Sequence, residues 1–426
     1  MIKRIGRCRI CGNRNLIPVL DLGTQALTGF FSRTREEQIP RSPLELVKCH
    51  GPNPDESCGL LQLRHSVDPG WIYGLQYGYR SGINPSMAAH LKKKSSLVEK
   101  IAGLSAGDLV LDIGSNDGTL LNSFSRKDLD LAGIDPAAEK FQGGYPGNIR
   151  LIPDFFSARI FRRHFSGKKA KAVTSIAMFY DLESPLEFMR DVYEILDDDG
   201  VWIFEQSYLP EMLKHNAYDM ICHEHLEYYG LSQIKWMTDR AGFKIIGIEF
   251  NEINGGSFQV AAVKKGNADF QEDTGLIEAI LADEKRQGLS SLGVYDDFAR
   301  NVLRHKRSLQ EFILGCKQRG ESVFGYGAST KGNVVLQYCG FTSEDIQSIA
   351  EINEEKIGCF TPGSGIPVIR EHDARALHPD YFLVLPWYLS GFVMAREENY
   401  LNNGGMLIIP FPGIRVLQLS EAARGA

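Results

Sequence analysis

The sequence predicts an α/β protein of three domains, with a doubly wound, Rossmann-like sheet in the middle domain. Three observations support this: a start rich in Cys, Pro and Gly, an alternation of strand-like and helical stretches over 105–265, and a second, shorter alternation near the carboxyl end. The 426 residues also exceed the size at which a single core stops growing. We expect domains at residues 1–80, 81–268 and 269–426.

Composition and charge favour a protein that acts on small molecules. The chain has 43% hydrophobic and 23% charged residues, as globular proteins do, and its formal charge of -6 offers no basic excess to attract nucleic acid or an anionic membrane. No apolar run reaches the roughly 18 residues of a membrane span, and the start MIKRIGRCRI lacks the apolar core of a signal peptide. We expect a cytoplasmic monomer or small homo-oligomer that binds neither nucleic acid nor membrane.

Four cysteines in the first domain predict a structural zinc site. Cys8 and Cys11 have the two-residue gap of a zinc knuckle, and Cys49 and Cys58 follow about forty residues later. Eight residues separate the second pair, so a loop must be inserted there; His50 is a possible substitute ligand, and a metal-free fold is the alternative. Four thiolates leave no open position on the ion, so we assign it no chemical role.

A helix and a glycine turn open the middle domain. Apolar residues spaced for an amphipathic helix occupy 86–104, and the last two strand-like runs, FKIIGIEF and FQVAAV, predict an antiparallel strand at the edge of the sheet. In VLDIGSNDGT, a strand ends at Asp112, and Gly114, Asn116 and Gly118 form the turn to the next helix. About 20 residues later LAGID ends at Asp135, whose carboxylate can bind the two hydroxyls of a ribose.

This turn indicates S-adenosylmethionine as the cofactor. A dinucleotide-binding turn would carry GxGxxG, which GSNDG lacks, so the pattern favours a methyltransferase. Asp154 and Phe155, after the third strand, are candidates to hydrogen-bond and flank the adenine. The alternative for the turn alone is an ordinary strand-to-helix connection.

The segment YDMICHEHLEYYG is the candidate acid–base centre. HEH lacks the spacing of the metalloprotease motif HExxH, and the segment follows a strand of the same sheet, so it should lie beside the methyl donor. A histidine can remove a proton near neutral pH, and a glutamate can orient it. A carbon atom next to a ketone becomes a nucleophile only after such a deprotonation.

Together these motifs resemble the sugar C-methyltransferase family that acts on nucleotide-linked 4-keto-deoxysugars. The resemblance covers nearly the whole chain and includes the CxxC start, YGYRSGINPSMAAH, VLDIGSNDGT, ICHEHLEYYG, NGGSFQV, GYGASTKGNVVLQ, EINEEKIG and IPV. It implies a zinc-binding first domain, a central class I S-adenosylmethionine-dependent methyltransferase domain, and a Rossmann-like α/β third domain that helps hold the nucleotide sugar.

The resemblance also implies roles for individual residues. His225 resembles the base that removes the proton beside the ketone, and Glu224 the group that assists or orients it. Cys222 stands where relatives carry a tyrosine, so the role of that tyrosine passes to another group or is lost. Tyr229, Tyr228 and a residue of the first domain are candidates to stabilise the enolate. The alternative for Cys222 itself is a small buried group. Tyr77 and Tyr79 resemble the family's aromatic residues near the substrate.

In the third domain a glycine-rich turn follows the strand ESVFG. Its backbone N–H groups, with Ser329, Lys331 and Asn333, suit a pyrophosphate, although GYGASTKG is not a Walker A loop. Glu351, after the next strand, is a candidate for the ribose or base.

The sequence therefore predicts methylation at C3 of a dTDP- or GDP-linked 4-keto-6-deoxyhexose. An O- or N-methyltransferase on another small molecule and a non-catalytic nucleotide-binding scaffold are the alternatives.

Overall fold

The computed structural model describes residues 2–53, 55–74 and 77–418 of the chain. The first domain is mostly antiparallel sheet. Its elements are β1 (Ile2–Arg4), β2 (Leu16–Ala26), β3 (Arg41–Cys49), β4 (Leu61–Leu63), β5 (His65–Val67) and α1 (Pro69–Ile72). Strands β2, β3 and β4 are neighbours in one sheet, and β1 pairs with β5. The cysteines lie around the ends of β3 and β4, so the sheet and the knuckle form one unit.

The middle domain alternates strands and helices as predicted. It begins with α2 (Pro85–Ala102), whose first turn is capped by the Asn84 side chain. The following elements are β6 (Leu109–Ile113), α3 (Thr119–Asn122), β7 (Asp130–Ile134), β8 (Ile149–Ile152), α4 (Ala158–His164), β9 (Ala170–Ile176), α5 (Pro185–Ile195), β10 (Leu196–Ser207), α6 (Leu209–Lys214), β11 (Glu227–Tyr228), α7 (Leu231–Ala241), β12 (Phe243–Asn251) and β13 (Ser257–Lys264).

Seven of these strands form one sheet in the order β12-β13-β10-β9-β6-β7-β8. The order reverses between β6 and β9, and open α/β sheets bind ligands in the crevice at the carboxyl ends of such a pair. The one reversed strand is β13, which lies between β10 and β12 rather than at the edge. The predicted edge position of the antiparallel strand was therefore wrong. β12 forms the edge, and the chain then turns back and inserts β13 between β12 and β10.

Strand β11 leaves the middle domain and completes the sheet of the first. It pairs antiparallel with β4, so the order there is β11-β4-β3-β2. Apolar residues of the segment 209–228 accordingly share a core with the first-domain sheet and with the third domain. The candidate acid–base centre is thus held where all three domains meet.

The third domain is a second, smaller α/β unit. Its elements are α8 (Thr274–Arg286), α9 (Gly293–Gln318), β14 (Val323–Tyr326), α10 (Thr330–Cys339), β15 (Ile349–Glu351), β16 (Val368–Arg370), α11 (Glu371–Ala376), β17 (Tyr381–Val384), α12 (Ser390–Arg396), α13 (Glu398–Asn402), β18 (Met406–Ile409) and β19 (Arg415–Leu417). The strand order is β16-β15-β14-β17-β18-β19, parallel except for β19. Among the described helices, none combines the length and the apolar character needed to cross a membrane.

Candidate active site

The turn after β6 is held by the carboxylate at the end of β7. Gly114, Asn116 and Gly118 have positive φ angles of 74°, 48° and 76°, which curl the backbone tightly. Asp135 accepts the backbone N–H of Asn116 on one oxygen, at 2.8 Å, and that of Ala137 on the other, at 2.7 Å. A carboxylate has about four lone-pair sites, more than these backbone bonds use, so Asp135 can also accept a hydrogen bond from a ribose.

The side chains of the same turn hold the segment 77–82 of the chain. Asn116 Oδ1 accepts the N–H of Ser81 at 3.0 Å, and its Nδ2 donates to the carbonyl oxygen of Tyr79 at the same distance. Asp117 Oδ2 accepts the N–H of Gly82 at 2.9 Å. The Asn116 side chain is therefore committed to the backbone beside Tyr79, and the cofactor turn and the predicted substrate-side tyrosines form one unit.

Three further predicted cofactor residues lie at the carboxyl edge of the same sheet. Asp112 is buried and accepts a hydrogen bond of 2.6 Å from Thr174; burial raises its pKa to about 7. Asp154 and Phe155 follow β8, and the Phe155 ring is 45% exposed. An exposed ring at this edge is free to pack against a planar base.

His225 is oriented by the backbone of its own segment. Its Nδ1 lies 3.0 Å from the carbonyl oxygen of Met220, and its ring packs against that of Tyr180, with centroids 4.3 Å apart. A carbonyl oxygen only accepts, so Nδ1 carries the proton and Nε2 keeps its lone pair. Burial, together with the Lys331 cation, lowers the pKa of His225 to about 3, so the ring is neutral at physiological pH.

Glu224 and Cys222 face the first domain. The Thr28 hydroxyl donates to Glu224 Oε2 at 3.4 Å, and the Cys222 thiol lies near enough to this carboxylate to lower its pKa. Burial raises the pKa of both groups, that of Cys222 well above its usual range. Cys222 is therefore a buried, protonated thiol near Glu224.

The tyrosines that the sequence singled out do not all reach the site. Tyr73, which the sequence analysis missed, donates to the backbone oxygen of Glu224 at 3.5 Å, and its ring packs against that of Tyr77 at 5.4 Å. Tyr229 instead is fully buried in the apolar core of the middle domain, so the structure does not bring its hydroxyl to the other site residues.

Lys331 comes to the centre from the third domain. Its Nζ donates to the backbone oxygen of Asn254 at 3.2 Å and lies 4.9 Å from the centre of the Tyr388 ring. Burial raises the pKa of Asp219, and the Lys331 charge opposes this rise. Asp219 also accepts a 2.9 Å hydrogen bond from Trp387. The ammonium has three N–H groups, so it can still bind an anion.

The rest of the third-domain turn is mostly engaged in holding the fold. The Ser329 hydroxyl caps α10, and Glu351 accepts backbone N–H groups, including that of Ala328 at 2.7 Å. Asn333 is fully buried, and its amide donates to the carbonyl oxygen of Thr28 at 2.8 Å. The structure therefore gathers Ser329, Lys331 and Glu351 at one sheet edge, while Asn333 joins the first and third domains.

Sequence reasoning also missed Asp181. This residue ends the short helical turn after β9, next to the crevice at which the strand order reverses. Burial raises the pKa of its carboxyl well above the usual range, and the nearby Tyr73 hydroxyl opposes this rise. An acidic residue at the end of the fourth strand of the alternation was the available signal.

The four cysteines of the first domain meet as predicted. The sulfur atoms of Cys8, Cys11, Cys49 and Cys58 all lie within 4.8 Å of one another, and two pairs are 3.5 Å apart. Two thiolates on a tetrahedral zinc ion are about 3.8 Å apart, since each Zn–S bond is roughly 2.3 Å. The residues therefore fit one zinc ion, and His50 lies outside this set.

Comparisons with known proteins cover all three domains. One family model, described as a zinc binding domain, matches residues 8–73; a methyltransferase domain model matches 87–248, and a C-methyltransferase C-terminal domain model matches 252–412. The chain is similar to the C-methyltransferase NovU of Streptomyces niveus, with 30% identity over 423 residues, 98% of each chain.

Two solved structures resemble part of the chain. The CcbJ methyltransferase from Streptomyces caelestis has 12% identity and a TM-score of 0.35, over 45% of this chain and 97% of that one. An S-adenosylmethionine-dependent methyltransferase from Clostridium acetobutylicum has 13% identity and a TM-score of 0.33, over 41% of this chain and 92% of that one.

Proposed function

The chain belongs to the three-domain C-methyltransferase family, and from this we propose that it methylates C3 of a nucleotide-diphospho-4-keto-6-deoxyhexose. It is an S-adenosylmethionine-dependent methyltransferase with a zinc-binding first domain. The sugar, the position of the new bond and the residues that form it are the parts that we propose.

The 3.0 Å contact between His225 Nδ1 and the Met220 carbonyl oxygen is the observation that carries the proposal. With Nδ1 donating to Met220, Nε2 is a neutral acceptor at the junction of the three domains. In the proposed reaction Nε2 takes the proton from C3 of the sugar, and the electron pair of the broken C–H bond enters the enolate, whose charge develops on the C4 oxygen. Oxygen and nitrogen acceptors often need only positioning, whereas this carbon requires a base.

The enolate oxygen needs a donor, and we assign this role to Tyr73, whose single O–H would exchange its 3.5 Å bond to the Glu224 backbone oxygen for one to the enolate. Its hydroxyl lies between Glu224 and Asp181, and burial raises its pKa well above the usual range, so it remains protonated. We assign Cys222, a buried and protonated thiol near Glu224, no part of the role of the family's tyrosine. Glu224, which also accepts the Thr28 hydroxyl, then holds the first domain against the base.

The cofactor would be held by the turn that Asp135 organises, with Phe155 beside the adenine. When bound, S-adenosylmethionine supplies the methyl group that C3 receives. We assign Lys331 to the diphosphate. It lies close enough to His225 to lower the pKa of that ring. One sugar ring separates C3 from the anomeric phosphate, so the two side chains can act on one substrate.

The test is incubation with S-adenosylmethionine and enzymatically made dTDP- and GDP-4-keto-6-deoxyhexoses in deuterated water, with the sugar mass followed over time. We expect the wild type to add one methyl group to one of these sugars. Without cofactor, it should exchange the hydrogen at C3 for deuterium, since proton removal precedes the new bond. His225→Gln should lose both reactions and still bind the cofactor.

His164→Ala, an exposed histidine on α4, is the matched control and should keep both reactions. Methyl gain without exchange in the wild type, or exchange that survives in His225→Gln, would contradict the assignment of the base. Cofactor binding without reaction on either sugar would instead favour an oxygen or nitrogen acceptor.

A further inference from the structure

The strand that follows His225 is fixed by the cysteine knuckle. Strand β11 pairs with β4, which begins three residues after Cys58, and the N–H of Leu63 donates to the carbonyl oxygen of Leu226 at 2.9 Å. The Gln233 side chain, just beyond β11, donates to the backbone oxygen of Cys58 at 3.0 Å. These hydrogen bonds therefore connect Cys58 and the strand that follows it to the chain on both sides of β11.

Arg9, between the first two cysteines, contacts both strands of the β4–β11 pair. Its guanidinium donates to the carbonyl oxygen of Leu63 at 2.5 Å, and its backbone N–H donates to Gln62 Oε1 at 3.1 Å. Its Nε lies 3.6 Å from Glu227 Oε1. The Arg9 side chain is 2% exposed and that of Glu227 is fully buried, so this ion pair is shielded from solvent.

Glu227 depends on this cation because its other charged neighbours are acidic. Burial raises the pKa of Glu227 well above its usual range; Arg9 opposes the rise, whereas Glu183 and Asp181 add to it. Glu183 also lies 3.9 Å from Arg9. Without Arg9 the Glu227 carboxyl would either stay charged and unpaired or take up a proton, and in both cases its attraction to the knuckle would be lost.

Glu227 is two residues from the proposed base. Between them, the N–H of Leu226 donates to the carbonyl oxygen of Tyr180 at 2.8 Å, and the Tyr180 ring is the one that packs against His225. A shift of β11 would therefore move His225 relative to both of its partners, the Tyr180 ring and the Met220 carbonyl oxygen.

We propose that Arg9 is a positioning residue for His225, which connects the cysteine knuckle to the base through the Arg9–Glu227 ion pair. The first domain then has a part in catalysis beyond covering the cleft: a closed knuckle sets the orientation in which Nε2 accepts the proton. This inference rests on the proposed function for the role of His225, but the position of its ring can be measured without any substrate.

The experiment compares the zinc-loaded full chain with Arg9→Gln, Glu227→Gln and the double variant. Arg64→Gln is the matched control, since it breaks another largely buried ion pair of the same domain, to Glu45 at 2.9 Å. For each protein, zinc content, cofactor affinity, the NMR signals of the His225 ring and the rate of C3 hydrogen exchange are measured. His225→Gln identifies the ring signals.

We expect Arg9→Gln to shift the His225 signals and to slow exchange about tenfold or more, with cofactor affinity unchanged. The double variant should lose no more than the single variants do, because either substitution alone already breaks the ion pair. Arg64→Gln should leave the His225 signals in place. If Arg9→Gln fails to fold, two other variants supply the same comparison. Glu227→Gln removes the buried carboxylate charge, and Arg9→Lys keeps the cation.

Unchanged His225 signals in Arg9→Gln, or an equal shift in Arg64→Gln, would overturn the proposal. So would a double variant in which the two single effects on the exchange rate multiply, as effects of independent residues do. If the wild type reacts with neither sugar, the proposed function fails, while the NMR comparison still decides whether Arg9 positions His225.

Discussion

The side-chain amide of Asn333 donates to the carbonyl oxygen of Thr28 at 2.8 Å and so joins the third domain directly to the first. The Thr28 hydroxyl in turn donates to Glu224, so the contact ends at the candidate acid–base centre. The Gln337 side chain, one helical turn further on, exchanges two hydrogen bonds with the Ala26 backbone, so Asn333 is one of the residues of α10 that join the two domains.

Replacing Asn333 by leucine should loosen this contact. The Thr28 carbonyl oxygen would lose a buried partner, which costs about 1–3 kcal/mol of the free energy of unfolding. We also expect the KM for the nucleotide sugar to rise while cofactor affinity stays unchanged. Denaturant melts and steady-state kinetics measure both effects. Asn403→Leu, at an exposed asparagine of the same domain, should leave them unaltered, and equal losses in the two variants would contradict the assignment.

The Lys331 charge should set the acid limit of the base. Because a nearby cation disfavours the imidazolium form, Lys331→Met should raise the pKa of His225 above about 3. The His225 ring would then become protonated at a higher pH, and proton abstraction would fail earlier on acidification. NMR titration of the ring without substrate gives the midpoint directly.

The same titration has an internal control. Lys306→Met removes a third-domain lysine that lies over the ring of Tyr338, and it should not move the His225 midpoint. A bound diphosphate offsets the Lys331 charge, so nucleoside diphosphate should raise the midpoint in the wild type and not in Lys331→Met. Identical midpoints in the wild type and Lys331→Met would show that the lysine does not act on the base.

Asp135 should account for much of the cofactor affinity. Asp135→Asn keeps the shape of the side chain but removes the charge that receives the ribose hydroxyls, and charged hydrogen bonds contribute about 1.5–3 kcal/mol each. We expect the Kd for S-adenosylmethionine to rise at least about tenfold. Calorimetry can compare this variant with Asp130→Asn, at the exposed start of the same strand, which should bind as the wild type does.

Loss of one sulfur ligand should release the zinc ion. Cys49→Ser should lower the zinc content of the purified protein and its melting temperature, because metal binding and folding of such a knuckle are coupled. Cys359→Ser alters a buried cysteine outside the cluster and should keep one zinc ion per chain. Full zinc occupancy in Cys49→Ser would exclude the four-sulfur site.

The parts of the site that the sequence predicted are those with local patterns. Gly114, Gly118 and Asp135 belong to one strand–helix–strand unit, so their spacing along the chain fixes their positions in space. The predicted zinc domain, the S-adenosylmethionine-dependent methyltransferase domain and the α/β third domain are confirmed by the family matches and by the sulfur cluster.

Contacts between distant parts of the chain could not be predicted in the same way. The sequence predicts that Asn333 binds the diphosphate, but the residue lies in the first turn of α10 and its partner Thr28 is 305 residues away. Strand β11 has two residues, too few for any alternation to show, and it pairs with a strand about 165 residues earlier. Such pairings depend on how the domains pack, and the local residue pattern does not encode that packing.

The exchange of β11 between domains also constrains how the polypeptide acquires its structure during synthesis. Until residues 227–228 leave the ribosome, β4 presents an unpaired edge, and an open edge invites association with other chains. The first domain, although made first, can complete its sheet only after most of the second has been translated. The sheet of the first domain is therefore completed late, by a pairing between residues far apart in the sequence. An excised amino-terminal fragment would expose the strand edge that the full chain covers.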